Sequence, residues 1–420
     1  MSTVEAKATV AEAVPERDVA TQPFRLSVMQ IVWGVLLVLV LALFVVRFVN
    51  EGAYGKDITN FLTGGRLILL GQASELYDLQ AQTEAQRPIA GPYEYEGGVL
   101  PYIYPPYVAG VFAIFALLPP DVAYYAWTAI QAVLLLLFVG WVMRWFRERG
   151  IEAPRALPLA LLAFQPVVEV LLQGQTSIIN LVLWWWALVA WHNERWAMLG
   201  VAVGLTAFKP QMGALLVVAL LMDRRWRALA YAVGTQAVLW LVMVLIGGPG
   251  IVTGYIEMVR TSATTAGTLG FVPGYMPSLR GLLTILGVSP NDTMWPTLVG
   301  WVLGLALTAL VWRTSRSLEA KFGLTAVLAV LLSPHMYPHD ATLLEVSVVC
   351  ALLVRASGAA AERRLNVLFV PFAFVFIAMY LLIFQLYTPY TLIVLSVWLL
   401  GVVLLWMLWQ GGRRAAPARE

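Results

Sequence analysis

The stretch GVAVGLTAFKPQMGALLVVALLMDRRWRAL, residues 200–229, contains the features that decide the fold. It is apolar on both sides of a single lysine, Lys209, and it runs into a basic cluster at residues 224–227. Long apolar runs that end in basic clusters are typical of helices that cross a membrane. The stretch therefore indicates an integral membrane protein.

Composition extends this interpretation to the whole chain. Of its 420 residues 60% are hydrophobic and only 12% are charged, and the mean hydropathy is +0.78, far from the balance of a water-soluble domain. We expect an all-α polytopic membrane protein with about 11–12 transmembrane helices, each needing about 20 apolar residues. The clearest apolar runs are residues 31–49, 122–143, 229–246, 298–312, 367–384 and 392–409.

Several functional classes are excluded at this stage. The net charge is only +3 and the basic residues lie in short clusters between apolar runs, which argues against a nucleic-acid partner. The single cysteine, Cys350, excludes an internal disulfide framework and a cysteine zinc site. The chain has no Walker loop, nucleotide-binding glycine fingerprint or serine nucleophile elbow. We therefore expect no cofactor and no coupling to ATP.

The basic clusters predict how the chain is threaded through the membrane. Residues 224–227, 313–316, 355–364 and 413–414 can all face the cytoplasm if the apolar runs between them alternate normally. This scheme gives a disordered cytoplasmic tail at 1–28, a transmembrane domain at 29–410 and a cytoplasmic tail at 411–420. The external loops that it predicts are residues 50–102, 247–280, 333–340 and 385–389.

The segment between residues 104 and 222 allows two arrangements. Five crossings satisfy the alternation but place Arg144, Arg147 and Arg149 outside, against the preference for basic residues in the cytoplasm. Three crossings also satisfy it if residues 104–118 and the region around Lys209 are re-entrant. We favour five crossings, and both arrangements leave the external loops in place.

The first external loop contains AYGKDITNFLTGG, residues 53–65. From Ile58 to Leu69 its apolar residues recur at helical spacing, which predicts an amphipathic helix on the membrane surface with Asp57 at its start. The carboxylate of Asp57 can cap this helix by accepting a backbone N–H, or it can serve as an active-site acid or base. The two roles are compatible.

Lys209 is the most unusual charge in the chain. Burying an unpaired ammonium in a membrane costs at least about 2.5–3.5 kcal/mol, so this lysine needs an anionic partner or a polar cavity. Pro210 interrupts the helix at the same point and can leave the lysine at a helix end facing a crevice. A salt bridge to Glu169 is the structural alternative to a functional role.

Three further polar motifs stand out from the apolar background. YIYPPYV contains Tyr104, which fits an interfacial aromatic belt, and LLQGQTSIIN contains Gln175, whose amide can join helices or bind sugar hydroxyls. SPHMYPHD contains His335, His339 and the adjacent Asp340. The proline between the histidines gives no firm metal geometry, so we expect no metal there and assign His339 to hydrogen bonding or proton handling.

Taken in order, these motifs resemble a known family. KDITNFLTGGRLILLGQASELYD, YIYPPYVAGVFAIFALLPP, GQTSIINLVL, the stretch at residues 200–229 and SPHMYPHDATLL are similar to those of the glycosyltransferase family 87 membrane enzymes. That family resembles the polyprenyl-phosphate-mannose-dependent mannosyltransferases of actinobacteria and belongs to the GT-C superfamily. The resemblance covers about residues 31–409.

The resemblance implies a GT-C-type fold and a set of functional residues. Asp57 matches the acidic residue that acts as general base on the acceptor hydroxyl, Lys209 matches a basic residue that meets the carrier phosphate, and His339 matches a site histidine. We place Tyr104 and Gln175 with the substrate-binding residues. Arg260 and Arg280 are additional phosphate contacts inferred from their charge and their external loop.

The implied reaction moves a sugar, mannose first, from a polyprenyl-phosphate carrier to an envelope glycolipid or glycan acceptor at the outer face of the cell membrane. Polyprenyl phosphate is a fair leaving group, so a carboxylate and a cation suffice, no metal is obligatory, and a one-step displacement inverts the anomeric carbon. Expected partners are the lipid-linked donor, the acceptor and membrane lipids. The alternatives are a lipid or sugar-lipid transporter and a membrane scaffold without chemistry.

Overall fold

A computed structural model describes residues 28–51, 56–91, 98–264, 271–355, 364 and 391–414, and all of the regular structure in these ranges is helical. The helices are α1 (Val28–Glu51), α2 (Ile58–Leu69), α3 (Leu79–Ala90), α4 (Pro106–Phe115), α5 (Pro120–Glu148), α6 (Leu157–Leu162), α7 (Gln165–Gln173), α8 (Ser177–His192), α9 (Trp196–Thr206), α10 (Pro210–Met222), α11 (Trp226–Gly247), α12 (Gly250–Thr264), α13 (Leu279–Ile285), α14 (Met294–Thr314), α15 (Leu318–Leu331), α16 (Leu344–Arg355) and α17 (Thr391–Arg414). Short 3-10 turns at Ala73–Glu75, Pro273–Tyr275, Pro290–Asp292 and Pro338–Leu343 complete this part of the chain.

The expected all-α polytopic membrane architecture is confirmed. Helical segments long and apolar enough to cross a bilayer are Pro120–Glu148, Trp226–Gly247, Pro290–Thr314 and Thr391–Gly411. The apolar run at 367–384, the loop at 385–389, most of the basic cluster at 355–364, the N-terminal tail to residue 27 and residues 415–420 lie outside the described residues.

Ionic contacts gather the basic loops at one end of the helices. The guanidinium of Arg149, just after α5, lies 3.3 Å from a carboxylate oxygen of Glu319 on α15 and 3.0 Å from Nδ1 of His192 at the end of α8. Asp223 accepts a 2.7 Å hydrogen bond from Arg225 between α10 and α11. The basic end, as we name it, consists of Arg149, His192, Asp223, Arg225, Glu319 and Lys321.

The opposite end collects the polar residues that the sequence singled out. Gln175, in the turn between α7 and α8, bonds to Asp57 from the first loop. Lys209, between α9 and α10, bonds to Asp340 in the 3-10 turn before α16. The site end, as we name it, is built around Asp57, Tyr104, Gln175, Ser177, Lys209 and Asp340.

Helices α9 and α10 form a hairpin whose tip carries Lys209. Gly200 and Gly204 of α9 lie directly against Ala228 and Ala232 of α11, in the same order along both helices, so α9 and α11 run parallel. A side chain at Gly200 would collide with the carbonyl oxygen of Ala228, so only glycine allows this approach. Since α10 connects the far end of α9 to the start of α11, it must run back beside α9.

The contacts of the basic end correct the position of Arg149 in the favoured arrangement of five crossings between residues 104 and 222. Helices α9 and α10 do not form one crossing, because the chain turns at Lys209 and returns to the basic end. Helix α4 also stays at the site end, since Tyr104 before it bonds to Gln175 and Phe115 near its end packs 5.3 Å from Trp127. Arg149 and Arg225 therefore lie at the same end, whereas Lys209 at the hairpin tip lies at the other, so α9 and α10 each run between the two ends.

The helix expected in the first loop is present as α2, which begins directly after Asp57. Nine of its twelve residues are buried, and it packs chiefly on α3 and α4. Gly65 explains the close packing, since a side chain there would meet the backbone of Phe112 on α4 at 2.5 Å. Helix α2 is therefore a packed element that holds Asp57 in place.

Candidate active site

Asp57 is held by a short hydrogen-bonded relay. The amide nitrogen of Gln175 donates to Asp57 Oδ2 at 2.7 Å, and the hydroxyl of Tyr104 donates to the amide oxygen of Gln175 at 3.1 Å. The indole of Trp127 donates to the backbone carbonyl of Gln175 at 3.3 Å. Three sequence-predicted residues, Asp57, Tyr104 and Gln175, thus meet at one point, and Gln175 orients the carboxylate.

The capping role considered for Asp57 is not what the structure contains. Asp57 occupies the position before α2, but its side chain makes no capping hydrogen bond and its backbone is helical. Burial raises the pKa of this carboxyl, while the Gln175 hydrogen bond and the charge of Lys209 act in the opposite direction. A carboxylate with a raised pKa is a better proton acceptor, as a general base requires.

Lys209 lies in a second polar group at the site end. Its ammonium donates to Ser177 Oγ at 2.8 Å and forms a salt bridge with Asp340 Oδ1, and Ser177 donates to the same Asp340 oxygen at 2.7 Å. The side chains of Lys209 and Asp340 are only 3% and 4% exposed. The same ammonium lies 5.9 Å from the ring centre of Tyr104, which brings the two groups together.

Asp340 corrects the structural alternative considered for Lys209. The buried partner of the ammonium is Asp340, not Glu169 as the sequence suggested. Asp340 holds its own loop as well, because its second carboxylate oxygen accepts the backbone N–H of Tyr337 at 3.3 Å. Burial raises the pKa of Asp340, but the charge of Lys209, the neighbouring His339 and the hydrogen bonds from Lys209 and Ser177 together hold this pKa below its usual range.

His339 lies on the Asp340 side of the site. Its Nε2 is 3.6 Å from Asp340 Oδ2, and its ring stacks on Tyr337 with the ring centres 6.0 Å apart. Burial lowers the pKa of His339 to about 3, although Asp340 acts in the opposite direction. The ring is therefore neutral near pH 7, so it can exchange hydrogen bonds but carries no charge for a phosphate. Burial lowers the pKa of His335 to about 4 in the same way.

The two arginines predicted as phosphate contacts have different environments. Arg280 is 1% exposed, its Nε makes a long 3.4 Å hydrogen bond to Thr293, and its Nη1 has no hydrogen-bond partner among the described residues. The positive charge of Arg280 acts to lower the pKa of Tyr337 and of His335, which lie in the loop that leads to Asp340. Arg260 does not join this network, because its side chain is 77% exposed and pairs with Glu257.

Some residues that build the site were not identified from the sequence. The side-chain amide of Gln86 donates to the carbonyl of Leu100 and accepts the N–H of Leu100, both at 2.8 Å. The side-chain oxygen of Gln82 accepts the N–H of Tyr102 at 2.7 Å. These contacts fix the strand-like approach to Tyr104. The only local sign of this role is that α3 carries glutamines at helical spacing. Their hydrogen-bond partners lie 14 residues (Gln86) and 20 residues (Gln82) further along the chain, so the sequence did not reveal them.

The described residues contain no group of three or more histidine, cysteine, aspartate or glutamate side chains that could hold a metal ion. The contact between His339 Nε2 and Asp340 Oδ2 becomes an ion pair only if the histidine is protonated. What the site offers chemically is a carboxylate held by an amide, a neutral histidine, and buried cations, of which Lys209 is already paired with Asp340.

Comparison with known proteins gives two similar sequences from mycobacteria. The polyprenol-phosphate-mannose-dependent alpha-(1-2)-phosphatidylinositol pentamannoside mannosyltransferase of Mycolicibacterium smegmatis is 28% identical over 256 residues, 57% of this chain and 58% of that protein. An alpha-(1->3)-arabinofuranosyltransferase of Mycobacterium tuberculosis is 32% identical over 139 residues, 31% of each chain. The matches thus span well under two thirds of these relatives. No solved structure gives a significant match.

A family model gives broader coverage. The model of Glycosyltransferase family 87 matches residues 102–334. The matched region contains Tyr104, Gln175, Lys209 and Arg280, whereas Asp57 and the turn with His339 flank it. Because this match covers more than half of the chain, and because the expected motifs meet at one end of the helices, the protein belongs to glycosyltransferase family 87.

Proposed function

We propose that the protein is a membrane glycosyltransferase that moves a sugar, mannose first, from a polyprenyl-phosphate carrier to an envelope glycolipid or glycan. The observation that carries this proposal is the meeting of Asp57, Gln175 and Tyr104 beside the buried ammonium of Lys209 at the site end. The mycobacterial relative named for a polyprenol-phosphate-mannose donor supports the choice of donor.

Asp57 is the proposed general base. In the reaction, an acceptor hydroxyl attacks the anomeric carbon, the bond from that carbon to the phosphate oxygen breaks, and the electron pair leaves with the carrier phosphate. The proton of the hydroxyl passes to the Asp57 carboxylate, which Gln175 keeps aimed in one direction. A single displacement of this kind inverts the anomeric carbon.

Arg280 is the proposed main contact of the carrier phosphate. A buried guanidinium with a donor left unpartnered favours an anion, and planar guanidinium groups match phosphate oxygens well. Lys209 is less available than the sequence suggested, because Asp340 already neutralises it. The surrounding low-dielectric site strengthens stabilisation of the charge that develops on the leaving phosphate.

The distribution of basic residues supports a site that faces the periplasm or the cell exterior. Arg149, Arg225 and Lys321 lie at the opposite end from Asp57, and basic residues favour the cytoplasmic side. With the basic end in the cytoplasm, the site end opens toward the outer leaflet. A lipid-linked sugar can then present its phosphate there while its chain stays in the bilayer.

The test uses the full chain reconstituted in vesicles with radiolabelled polyprenyl-phosphate-mannose and an envelope glycolipid extract. Label incorporated into the glycolipid supports transfer, whereas unchanged donor moved between leaflets supports the transporter alternative. Asp57→Asn should lower transfer by about 10²- to 10⁴-fold, the usual contribution of a general base. Glu319→Gln, at the basic end, is the matched control and should transfer normally. Full activity in Asp57→Asn would remove Asp57 from the mechanism.

A further inference from the structure

The turn at residues 174–177 connects the two polar groups of the site end. Gln175 bonds to Asp57, and two residues later Ser177 bonds to both Asp340 and Lys209. Gly174 shapes the turn, since its φ is +67° and a side chain there would meet Ile58 of α2 at 2.7 Å. A shift of Ser177 would therefore be transmitted to Gln175 through a short and tightly packed segment.

The ion pair anchors this turn from two sides. Lys209 comes from the tip of the α9–α10 hairpin and Asp340 from the 3-10 turn before α16, and both hold Ser177 at the start of α8. The pair is buried and neutral as a unit. Ser177 and Asp340 already occupy two of the three donors of the Lys209 ammonium, and the Asp340 carboxylate would repel an approaching phosphate. Arg280, in contrast, has a free donor and no carboxylate partner among the described residues.

We propose that Ser177, Lys209 and Asp340 form a positioning unit that fixes the turn at residues 174–177 and thereby holds Gln175 against Asp57. The inference rests on the proposed function, in which Asp57 is the base. It assigns roles to Ser177 and Asp340, and it makes Lys209 a positioning residue and not a phosphate ligand.

The unit also balances charge around Asp57. The ammonium of Lys209 lowers the pKa of Asp57 and the carboxylate of Asp340 raises it, so the two effects oppose each other while burial keeps that pKa raised. The other titratable groups that face Asp57 are the hydroxyls of Tyr104 and Tyr337. Lys56, the preceding residue, donates to the hydroxyl of Tyr124 at 3.0 Å.

The experiment compares Lys209→Met, Asp340→Asn and the double variant that carries both changes. For each we would measure kcat, the donor KM and the pH profile of transfer in reconstituted full-length protein. The amide oxygen that Asp340→Asn introduces can still accept the Ser177 hydroxyl, so the double variant keeps the turn anchored and removes both charges. Glu319→Gln serves as the control for altering an ion pair far from the turn.

The two single variants should lower kcat by about tenfold or more, the scale expected for a misplaced catalytic group, with little change in donor KM. The acid limb of the pH profile, where the rate falls at low pH, should move in opposite directions in these two variants. Lys209→Met leaves Asp340 uncompensated, which raises the pKa of Asp57 and moves the limb to higher pH. Asp340→Asn leaves Lys209 uncompensated and moves it to lower pH. The double variant should recover most of kcat and place the limb between those of the two single variants.

A different pattern would overturn the inference. If the double variant is as inactive as Lys209→Met and both have a raised donor KM, Lys209 binds the phosphate directly. If a single variant fails to fold, Ser177→Ala decides, because it removes only the shared hydroxyl and should lower kcat without changing donor KM; normal kcat in this variant contradicts the proposal. Absence of transfer by the unaltered protein would instead refute the proposed function.

Discussion

The basic end and the site end both use ion pairs between segments far apart in the chain, yet they differ in burial. Arg149 and Glu319, at the basic end, are 19% and 20% exposed, and their charges remain close to water. Lys209 and Asp340, at the site end, are almost completely buried. Exposed pairs contribute about 0–1 kcal/mol to stability, whereas breaking a buried pair costs about 3–5 kcal/mol.

The difference shows what each end is built for. At the basic end cations also lie over aromatic faces, with Arg149 3.7 Å from the Trp145 ring centre and Arg225 4.3 Å from that of Trp196, as suits a membrane interface. At the site end the charges of Asp57, Lys209 and Asp340 are each tied to a polar partner in a fixed direction. Loss of one charge of the Lys209–Asp340 pair leaves the other charge buried without a partner. We therefore expect substitutions to reduce stability more at the site end than at the basic end.

The largest effect that we expect from this contrast is on stability. Asp340→Asn alone should lower the free energy of unfolding by about 3–5 kcal/mol, because the buried ammonium of Lys209 loses its counter-charge. The double variant with Lys209→Met should recover much of this loss, since no charge then remains unpaired. Thermal unfolding of purified protein in detergent measures both. Equal losses in the single and double variants would mean that the pair is not coupled.

The next effect concerns the unpaired cation of the site end. Arg280→Gln should raise the donor KM by about ten- to a hundredfold, which corresponds to a hydrogen bond to a charged group worth about 1.5–3 kcal/mol. Arg260→Gln is the matched control, because Arg260 is exposed and already paired with Glu257. A normal donor KM in Arg280→Gln would exclude Arg280 from the phosphate contact and leave Lys209 as the predicted ligand.

The pH dependence of transfer tests the effect of burial on Asp57, the carboxyl proposed as general base. Asp57 must be deprotonated to act as a base, and burial raises its pKa above the ordinary value of 3.8. Activity should therefore fall as the pH drops through this raised value, by about tenfold per pH unit below it. Steady-state rates from acid to neutral pH give the limb. A rate that stays constant down to pH 3.8 would contradict the assignment.

The smallest effect is expected at the basic end. Asp223→Asn weakens contacts to Arg225 and to Lys321, whose ammonium lies 4.0 Å away, but all three side chains are partly exposed. The free energy of unfolding should change by no more than about 1 kcal/mol, and transfer should be normal. A loss as large as that of Asp340→Asn would show that burial does not separate the two ends.

The sequence predicted the residues with unusual positions better than it predicted their partners. Asp57 before a helix, Lys209 at a proline-interrupted helix start and Gln175 in a glycine turn could all be located, because local patterns define them. Asp340 was adjacent to a predicted residue but received no role, since its partner Lys209 lies 131 residues away. Long-range pairing of this kind is not encoded in any local period.

The prediction of the fold was limited in the same way. Apolar runs identified the membrane class and the long helices, because length and hydropathy are local properties. The favoured arrangement of five crossings placed Arg149 opposite Arg225, because residues 104–118 have the apolar character of a span. Only the contacts of Tyr104 with Gln175 and of Phe115 with Trp127 reveal that α4 stays at the site end.

The hairpin of α9 and α10 has a consequence for how the chain is made. Helices α9 and α10 have 11 and 13 residues, fewer than the about 17–25 that a segment needs to enter lipid by itself. Helix α11 packs on both helices and covers part of their surface, and it is synthesised after them. We therefore expect the hairpin to pack late, after α11 has been synthesised, so that Lys209 at its tip is buried only when protein already surrounds it.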